Sequence, residues 1–343
     1  MQDKKIFAFF GTRPEAIKIL PLKRILKDKL QLIHIEQHTT LAENICAFDG
    51  KIKIEDENSF NRLNNVFANI FKQDFRDCDY ILVQGDTASV CAVSLAAFNS
   101  KKKVIYLESG LRTYNLESPY PEEGYRQITA RISDIHFCPT QIDLDNLEIE
   151  KVGGKKFIVG NTSLDNLIGY KGLQSYEDEI LVTLHRRENL SSIKEYFQAI
   201  SILAKKYKNL KFTIPLHPNP EVQKNKEYLT GVNICEPMEH KDLINLILKC
   251  KLIITDSGGI QEEGSFLDKR CLVCRNTTER PDFPFHVMCP TPEDLIDNFS
   301  RLIDKNEWFV KNHICPFGDG NASQKIVDIL EKEGIINKYV FYH

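Results

Sequence analysis

A chain of 343 residues is long for one domain and comfortable for two. Its 42% hydrophobic and 27% charged residues are ordinary for a globular protein, and a net charge of -3 gives no basic footprint for a nucleic-acid partner. No stretch reaches the ~20 apolar residues of a membrane-spanning helix. The opening MQDKKIFAFF runs into Gly-Thr-Arg-Pro too soon for a signal-peptide core, so a soluble, cytoplasmic protein without a membrane partner is expected. In that compartment the ten cysteines read as reduced thiols. Lys101, Lys102 and Lys103 read as a solvated turn before a strand.

In chain order, short apolar runs alternate with segments of helical spacing. KIFAFF, LIHIEQ, YILVQG, KVIYLE, IHFCPT and KKFIVG read as strands, followed after a break by EILVTL, LKFTIP, VNICEP, KLIITD and RCLVCR. Residues 15–27, 89–98, 193–207, 241–249 and 322–332 have helical spacing. Alternation of this kind predicts an α/β protein with parallel sheets covered by helices on both faces. The break at GNTSLDNLIGYKGLQSYEDE, rich in Gly, Asn, Ser and acids, places a domain boundary at residues 165–178. The expected organisation is two Rossmann-like, doubly wound domains, 1–168 and 169–320, facing across a cleft. A terminal helix within 321–343 returns to the first. Cys271 and Cys274 form a CxxC within a short strand. Residues at that spacing on a strand face opposite sides, and no second pair completes a zinc set, so no metal is expected.

Ligands of open parallel sheets bind beyond the carboxyl ends of the strands, and the informative polar residues fall there. After IFAFF comes Gly11-Thr12-Arg13-Pro14-Glu15-Ala16-Ile17-Lys18. Thr12 and Glu15 have capping-box spacing and Pro14 suits a first helical turn. That helix start favours an anion, to which Arg13 and Lys18 add charge, although a capped helix with surface bases fits equally well. Asp86 follows YILVQG with Thr87 as an N-cap; Glu108 follows VIYL and precedes SGLRT, with Arg112. One such acid is usually a helix cap, but two on nearby strand ends are harder to dismiss. Pro121-Glu122-Glu123 opens a helix containing Arg126, where first-turn acids are also ordinary dipole partners.

The second half repeats the logic. His185-Arg186-Arg187-Glu188-Asn189 ends one strand, His217 lies near the end of the next, and Asp256-Ser257-Gly258-Gly259-Ile260-Gln261-Glu262-Glu263 ends a third. Small residues at a strand-to-helix turn let backbone N–H groups approach a phosphate, though tight turns also need glycine. GxGxxG and GxxxxGK[ST] are absent, against a dinucleotide oxidoreductase or a P-loop NTPase. The residues suit a diphosphate-bearing ligand with a carbon centre under acid–base attack; they also fit a two-domain glycosyltransferase.

GTRPEAIK, QGDT, ESGLRT, PEEGYR, GNTSLDN, HRREN, TDSGGIQEE, TTERPD and PFGDGNAS occur in this order across residues 11–323. The set resembles the non-hydrolysing UDP-N-acetylglucosamine 2-epimerase family. The resemblance implies two Rossmann-like domains in a glycosyltransferase-B arrangement, a homodimer, and interconversion of UDP-GlcNAc and UDP-ManNAc for cell-surface polysaccharide, with no metal or nicotinamide cofactor. It implies removal of the C2 proton, expulsion of UDP to leave 2-acetamidoglucal, and return of UDP with protonation from the other face. On this resemblance Asp86, Glu108, Glu122 and His185 are catalytic. Arg13, Lys18, Ser257, Gly258, Gly259, Glu263 and Arg280 contact the nucleotide and its diphosphate.

Several positions depart from the family pattern. Gln37-His38-Thr39-Thr40 stands where QHRE or QHRQ helps form an allosteric substrate site, and the following loop is shortened. Leu243 stands at the aromatic near the uracil, Tyr125 at a usual Asn, and Asp282-Phe283-Pro284-Phe285-His286 after TTERP. A hydrolysing 2-epimerase, a 2-epimerase of a modified nucleotide sugar, and a sugar-nucleotide binding module without catalysis are the alternatives. Retention of the three acids and His185 argues against the last.

Overall fold

The computed structural model describes residues 4–36, 47–54, 62–276, 278–280, 285–310 and 314–337. Gln37 to Thr40 and Asp282 to Pro284, singled out above, lie outside them. The chain divides into two compact units. The first is Met1–Asn166 with Phe317–His343, and the second is Leu167–Pro316.

Among its described residues the first unit carries seven strands: β1 (Ile6–Phe10), β2 (Leu30–Glu36), β3 (Gly50–Lys53), β4 (Tyr80–Gln84), β5 (Lys103–Leu107), β6 (Ile135–Cys138) and β7 (Lys155–Ile158). They form one sheet in the order β3-β2-β1-β4-β5-β6-β7, with every pair parallel. Helices α1 (Arg13–Leu26), α2 (Arg62–Phe71), α3 (Ala88–Asn99), α4 (Glu122–Arg131) and α5 (Gln141–Ile149) follow β1, β3, β4, β5 and β6 in turn. Side chains of β1 divide between two cores, Ala8 and Phe10 entering one and Phe9 the other. A strand buried on both faces is apolar through its buried centre, which is why IFAFF and ILV read as continuous apolar runs.

The second unit has strands β8 (Glu179–Thr183), β9 (Lys211–Pro215), β10 (Asn233–Cys235), β11 (Leu252–Thr255), β12 (Cys271–Val273) and β13 (His286–Met288). Its sheet is again parallel, in the order β10-β9-β8-β11-β12-β13. Helices α6 (Ile193–Lys206), α7 (Pro220–Lys224), α8 (His240–Lys249), α9 (Gly258–Phe266) and α10 (Pro292–Asp304) belong to it. The last helix, α11 (Ala322–Lys332), belongs to the first unit. Its Ile326, Val327 and Leu330 share a core with Ile19 and Leu22 of α1. Asp165 caps α11, accepting the backbone N–H of Ala322 at 2.9 Å and of Ser323 at 2.7 Å.

Each expected strand is present, and β3 and β13 are additional. Both sheets reverse strand order once, between β1 and β4 and between β8 and β11. Those switch points open crevices at the carboxyl edge where ligands bind. Among the described residues no helix is long and apolar enough to cross a membrane.

Candidate active site

In the first unit the switch point is framed by two capped helices. Thr12 accepts the Glu15 N–H, and the Glu15 carboxylate accepts from Gly11 N at 2.6 Å and Thr12 N at 3.1 Å, which completes the capping box. Its other oxygen accepts from the Thr87 hydroxyl at 2.7 Å, and Thr87 caps α3. Glu15 thus ties the starts of α1 and α3 together. It is 3% exposed, and burial pushes its carboxyl up to about 7 against the pull of those hydrogen bonds.

Neither Asp86 nor Glu108 caps a helix. Asp86 Oδ2 takes Arg126 of α4 through Nε at 2.8 Å and Nη2 at 2.6 Å. Arg126 also donates to Glu123 at 3.3 Å. Glu123 is fully buried and accepts the backbone N–H groups of Thr113 at 3.0 Å and Tyr114 at 3.2 Å. The two neighbouring glutamates therefore divide their tasks: Glu123 anchors the loop before α4, while Glu122 is half-buried with no ion-pair partner among the described residues. Glu108 receives Lys18 Nζ at 2.5 Å, Asn161 Nδ2 at 3.2 Å, and the amide of Gln84. Its φ is +61°, in the left-handed region that costs a residue with a Cβ about 1–2 kcal/mol. Gly110, two residues on, has φ +99°, and a Cβ there would stand 2.1 Å from the Asp143 carbonyl oxygen. The turn carrying Glu108 is therefore packed against the start of α5. A water-sized cavity of about 10 Å3, lined in part by Lys18, Gln84, Glu108 and Asn161, lies beside it. Arg13 is half-buried at the first position of α1. Arg112 is spent elsewhere, in a bidentate pair with Glu150 at 2.7 and 2.9 Å.

In the second unit, β8 leads into His185 and β11 into Asp256. The His185 ring stacks on His217 with centroids 4.8 Å apart and planes 10° apart. Burial pulls His185 below the usual histidine range, Asp256 pulling the other way. A depressed histidine is neutral at neutral pH. Ser257 is the N-cap of α9, yet its side chain makes no capping bond, which leaves the helix's first N–H groups to other partners. Neither Gly258 nor Gly259 has positive φ, so tight-turn geometry does not account for them. Gly258 is crowded instead by a side chain: a Cβ would stand 2.3 Å from Arg280 Nη1, so Arg280 would have to shift to admit it. Arg280 lies over that helix start, held by Glu262 at 2.7 Å and by Glu279. Gly259 faces open space. Glu263 accepts from His240 Nε2 at 2.9 Å.

The structure thus brings Lys18 to Glu108, and Gly258 to Arg280, within their own units. Sequence reasoning placed Arg126 on the helix after Pro121 but did not pair it with Asp86, and it did not single out Asn161 or Gln84 around Glu108, nor His240 beside Glu263. Only Arg126 had a local signal: on a helix it lies one turn from Glu122 and Glu123. Tyr125 and Leu243 are half-buried, while Phe285 and His286 are buried, His286 bonded to Ser265 at 3.0 Å.

The family model for UDP-N-acetylglucosamine 2-epimerase matches residues 31–331. A UDP-N-acetylglucosamine 2-epimerase of Bacillus subtilis is 37% identical, the match covering 96% of each chain. The crystal structure of UDP-GlcNAc 2-epimerase from Neisseria meningitidis bound to UDP-GlcNAc superposes with a TM-score of 0.87. Its identity is 35%, over 96% of this chain and 100% of that one. The S. aureus MnaA–UDP co-structure gives 0.86 at 29% identity, over 98% and 99% of the two chains. With these lengths matched and these strand-end residues in place, the chain belongs to the UDP-N-acetylglucosamine 2-epimerase family.

Proposed function

We propose that the enzyme interconverts UDP-GlcNAc and UDP-ManNAc without hydrolysis, in the cytoplasm, for surface polysaccharide. The reading is carried by one observation. Asp86 and Glu108 stand on adjacent strand ends with neither spent on a helix cap, and Glu122 opens the helix whose Arg126 holds Asp86.

The chemistry balances without an oxidant. A carboxylate takes the C2 proton, the C–H electron pair becomes the C1–C2 double bond, and UDP leaves with the C1–O pair. Return of UDP to C1 and a proton to the other face of C2 gives the epimer. Two faces require two acid–base groups, and carboxylates suit the task. Asp86 and Glu108 are oriented by Arg126 and Lys18. A proton arriving at Glu122 displaces no salt bridge among the described residues. The diphosphate falls to the α9 N-terminus with Ser257, Gly259 and Arg280, where backbone N–H groups and a guanidinium meet an anion. Arg13 adds charge at the start of α1, and Glu263 suits a ribose hydroxyl. His185, neutral at neutral pH, offers a hydrogen-bonding ring to the substrate.

Incubation with UDP-GlcNAc in deuterated water, followed by NMR, tests the reading. UDP-ManNAc appearing with deuterium at C2 is the expected result. Free ManNAc with stoichiometric UDP would establish hydrolysis instead. Absence of both turnover and exchange would remove this substrate.

A further inference from the structure

One buried carboxylate of the second unit has half of its bonding capacity unused. Asp256 is 0% exposed at the end of β11. Its Oδ2 accepts the backbone N–H of His185 at 2.9 Å, that of Arg186 at 2.8 Å, and Asn189 Nδ2 at 3.0 Å. Its Oδ1 is buried and accepts no hydrogen bond. Buried polar atoms are ordinarily satisfied, so an open carboxylate oxygen calls for a donor. His185 Nδ1 stands 3.7 Å from it. The two groups keep register because the His185 backbone is bonded to the same carboxylate. The His217 ring stacks on one face of the His185 ring.

We propose that Asp256 is a positioning residue that holds His185 as the Nδ1–H tautomer, leaving Nε2 with its lone pair for the substrate. The charged or titratable groups facing the ring are Asp256 from β11, Arg186 beside it, and His217 after β9. Of these, Asp256 presents a buried, unfilled oxygen 3.7 Å from Nδ1. The tautomer follows from this geometry; its catalytic consequence rests on the epimerase reading above. In that reaction the opposite tautomer turns an N–H toward the substrate in place of the lone pair, and a wrong tautomer is costly in histidine enzymes.

The test is the ring-nitrogen NMR spectrum of His185 in ligand-free, 15N-labelled protein, at a pH above the histidine range. The expected spectrum has Nδ1 protonated and Nε2 bare. An Nε2–H or mixed population in the wild type overturns the proposal, whatever any variant does. Asp256→Asn keeps an oxygen for the two backbone donors, and should mix the tautomers and lower kcat by about 100-fold or more with little change in UDP affinity. Asn189→Ser removes an Oδ2 donor and should leave the tautomer intact; loss of the tautomer there as well would mean that general disruption, not Oδ1, controls the ring. Wild-type kcat retained in Asp256→Asn overturns the positioning role. Wild-type protein with no epimerase turnover defeats the functional reading, while the tautomer still decides the Asp256–His185 contact.

Discussion

Alanine at Gly258 sets a methyl carbon 2.3 Å from Arg280 Nη1, 2.5 Å from Cζ and 2.9 Å from Nη2. An arginine in solvent would swing aside. Arg280 is 5% exposed, with Nε on Glu262 at 2.7 Å and Nη1 on Glu279. Reaching ordinary van der Waals separation needs a shift of about 1 Å, which spoils at least one of those pairs. Overpacking costs about 1–3 kcal/mol, and a fully broken buried ion pair costs about 3–5 kcal/mol. Alanine's helix preference over glycine returns at most about 1 kcal/mol. The net expectation is a loss of about 2–3 kcal/mol, or roughly 5–10 °C in the melting of a unit this size. Gly259→Ala is the comparison, because its methyl group meets nothing within 4 Å. Its melting temperature should hold or rise slightly, while UDP binding weakens because the methyl group stands where a phosphate would approach α9. Differential scanning fluorimetry and calorimetric UDP titration of both variants give the two readouts. Equal melting losses in the two, or none in Gly258→Ala, refute the packing argument. Unchanged UDP affinity in Gly259→Ala removes the α9 start from phosphate binding.

Asp86→Asn, Glu108→Gln and Glu122→Gln should each cut turnover by about 10²–10⁴-fold. Thermal melts should separate them: Glu108→Gln strips Lys18 of a partially buried counter-charge and melts lower, whereas Glu122→Gln melts as wild type. Near-normal turnover in any one removes that acid from the mechanism. Glu15 carries a pH signature. Its folded carboxyl lies above the ordinary value of 4.5, at about 7, so its contribution is complete below 4.5 and is lost as pH rises through 7. Relative to the wild type, Glu15→Gln should gain up to about 3 kcal/mol across that window, read from urea unfolding at several pH values; a parallel pH dependence in both proteins contradicts it. Asp165→Ala should cost about 1 kcal/mol by uncapping α11, and an unchanged unfolding midpoint would show the cap to be inert.

Much of the scaffold was legible because parallel strands buried on both faces are apolar through their buried centres. The two strands not anticipated lack that signal. GKIK of β3 buries only Ile52, and HVM of β13 buries only His286. The acids and the glycine turn were readable from their places after strands. Their partners were not, because each partnership is made by the fold: Arg126 lies 40 residues from Asp86, and Asn161 53 from Glu108. The reason for Gly258 was equally hidden, since it depends on an arginine brought over from beyond β12.

The chain passes Gly160 and Gly318 side by side, and this has a consequence for the order of assembly. A Cβ on Gly160 would stand 2.9 Å from the Phe317 carbonyl oxygen, and that oxygen accepts the Asn161 N–H at 2.7 Å. Asn161 in turn holds Glu108. During synthesis the acid's surroundings therefore remain unfinished until residue 317 leaves the ribosome, although Glu108 itself emerged some two hundred residues earlier. The interposed second unit can fold first, and a nascent or truncated chain that stops before α11 is left with an open core beside α1 and an unset carboxylate. Completion of the surroundings of Glu108 is thereby coupled to translation of the segment that leads into α11.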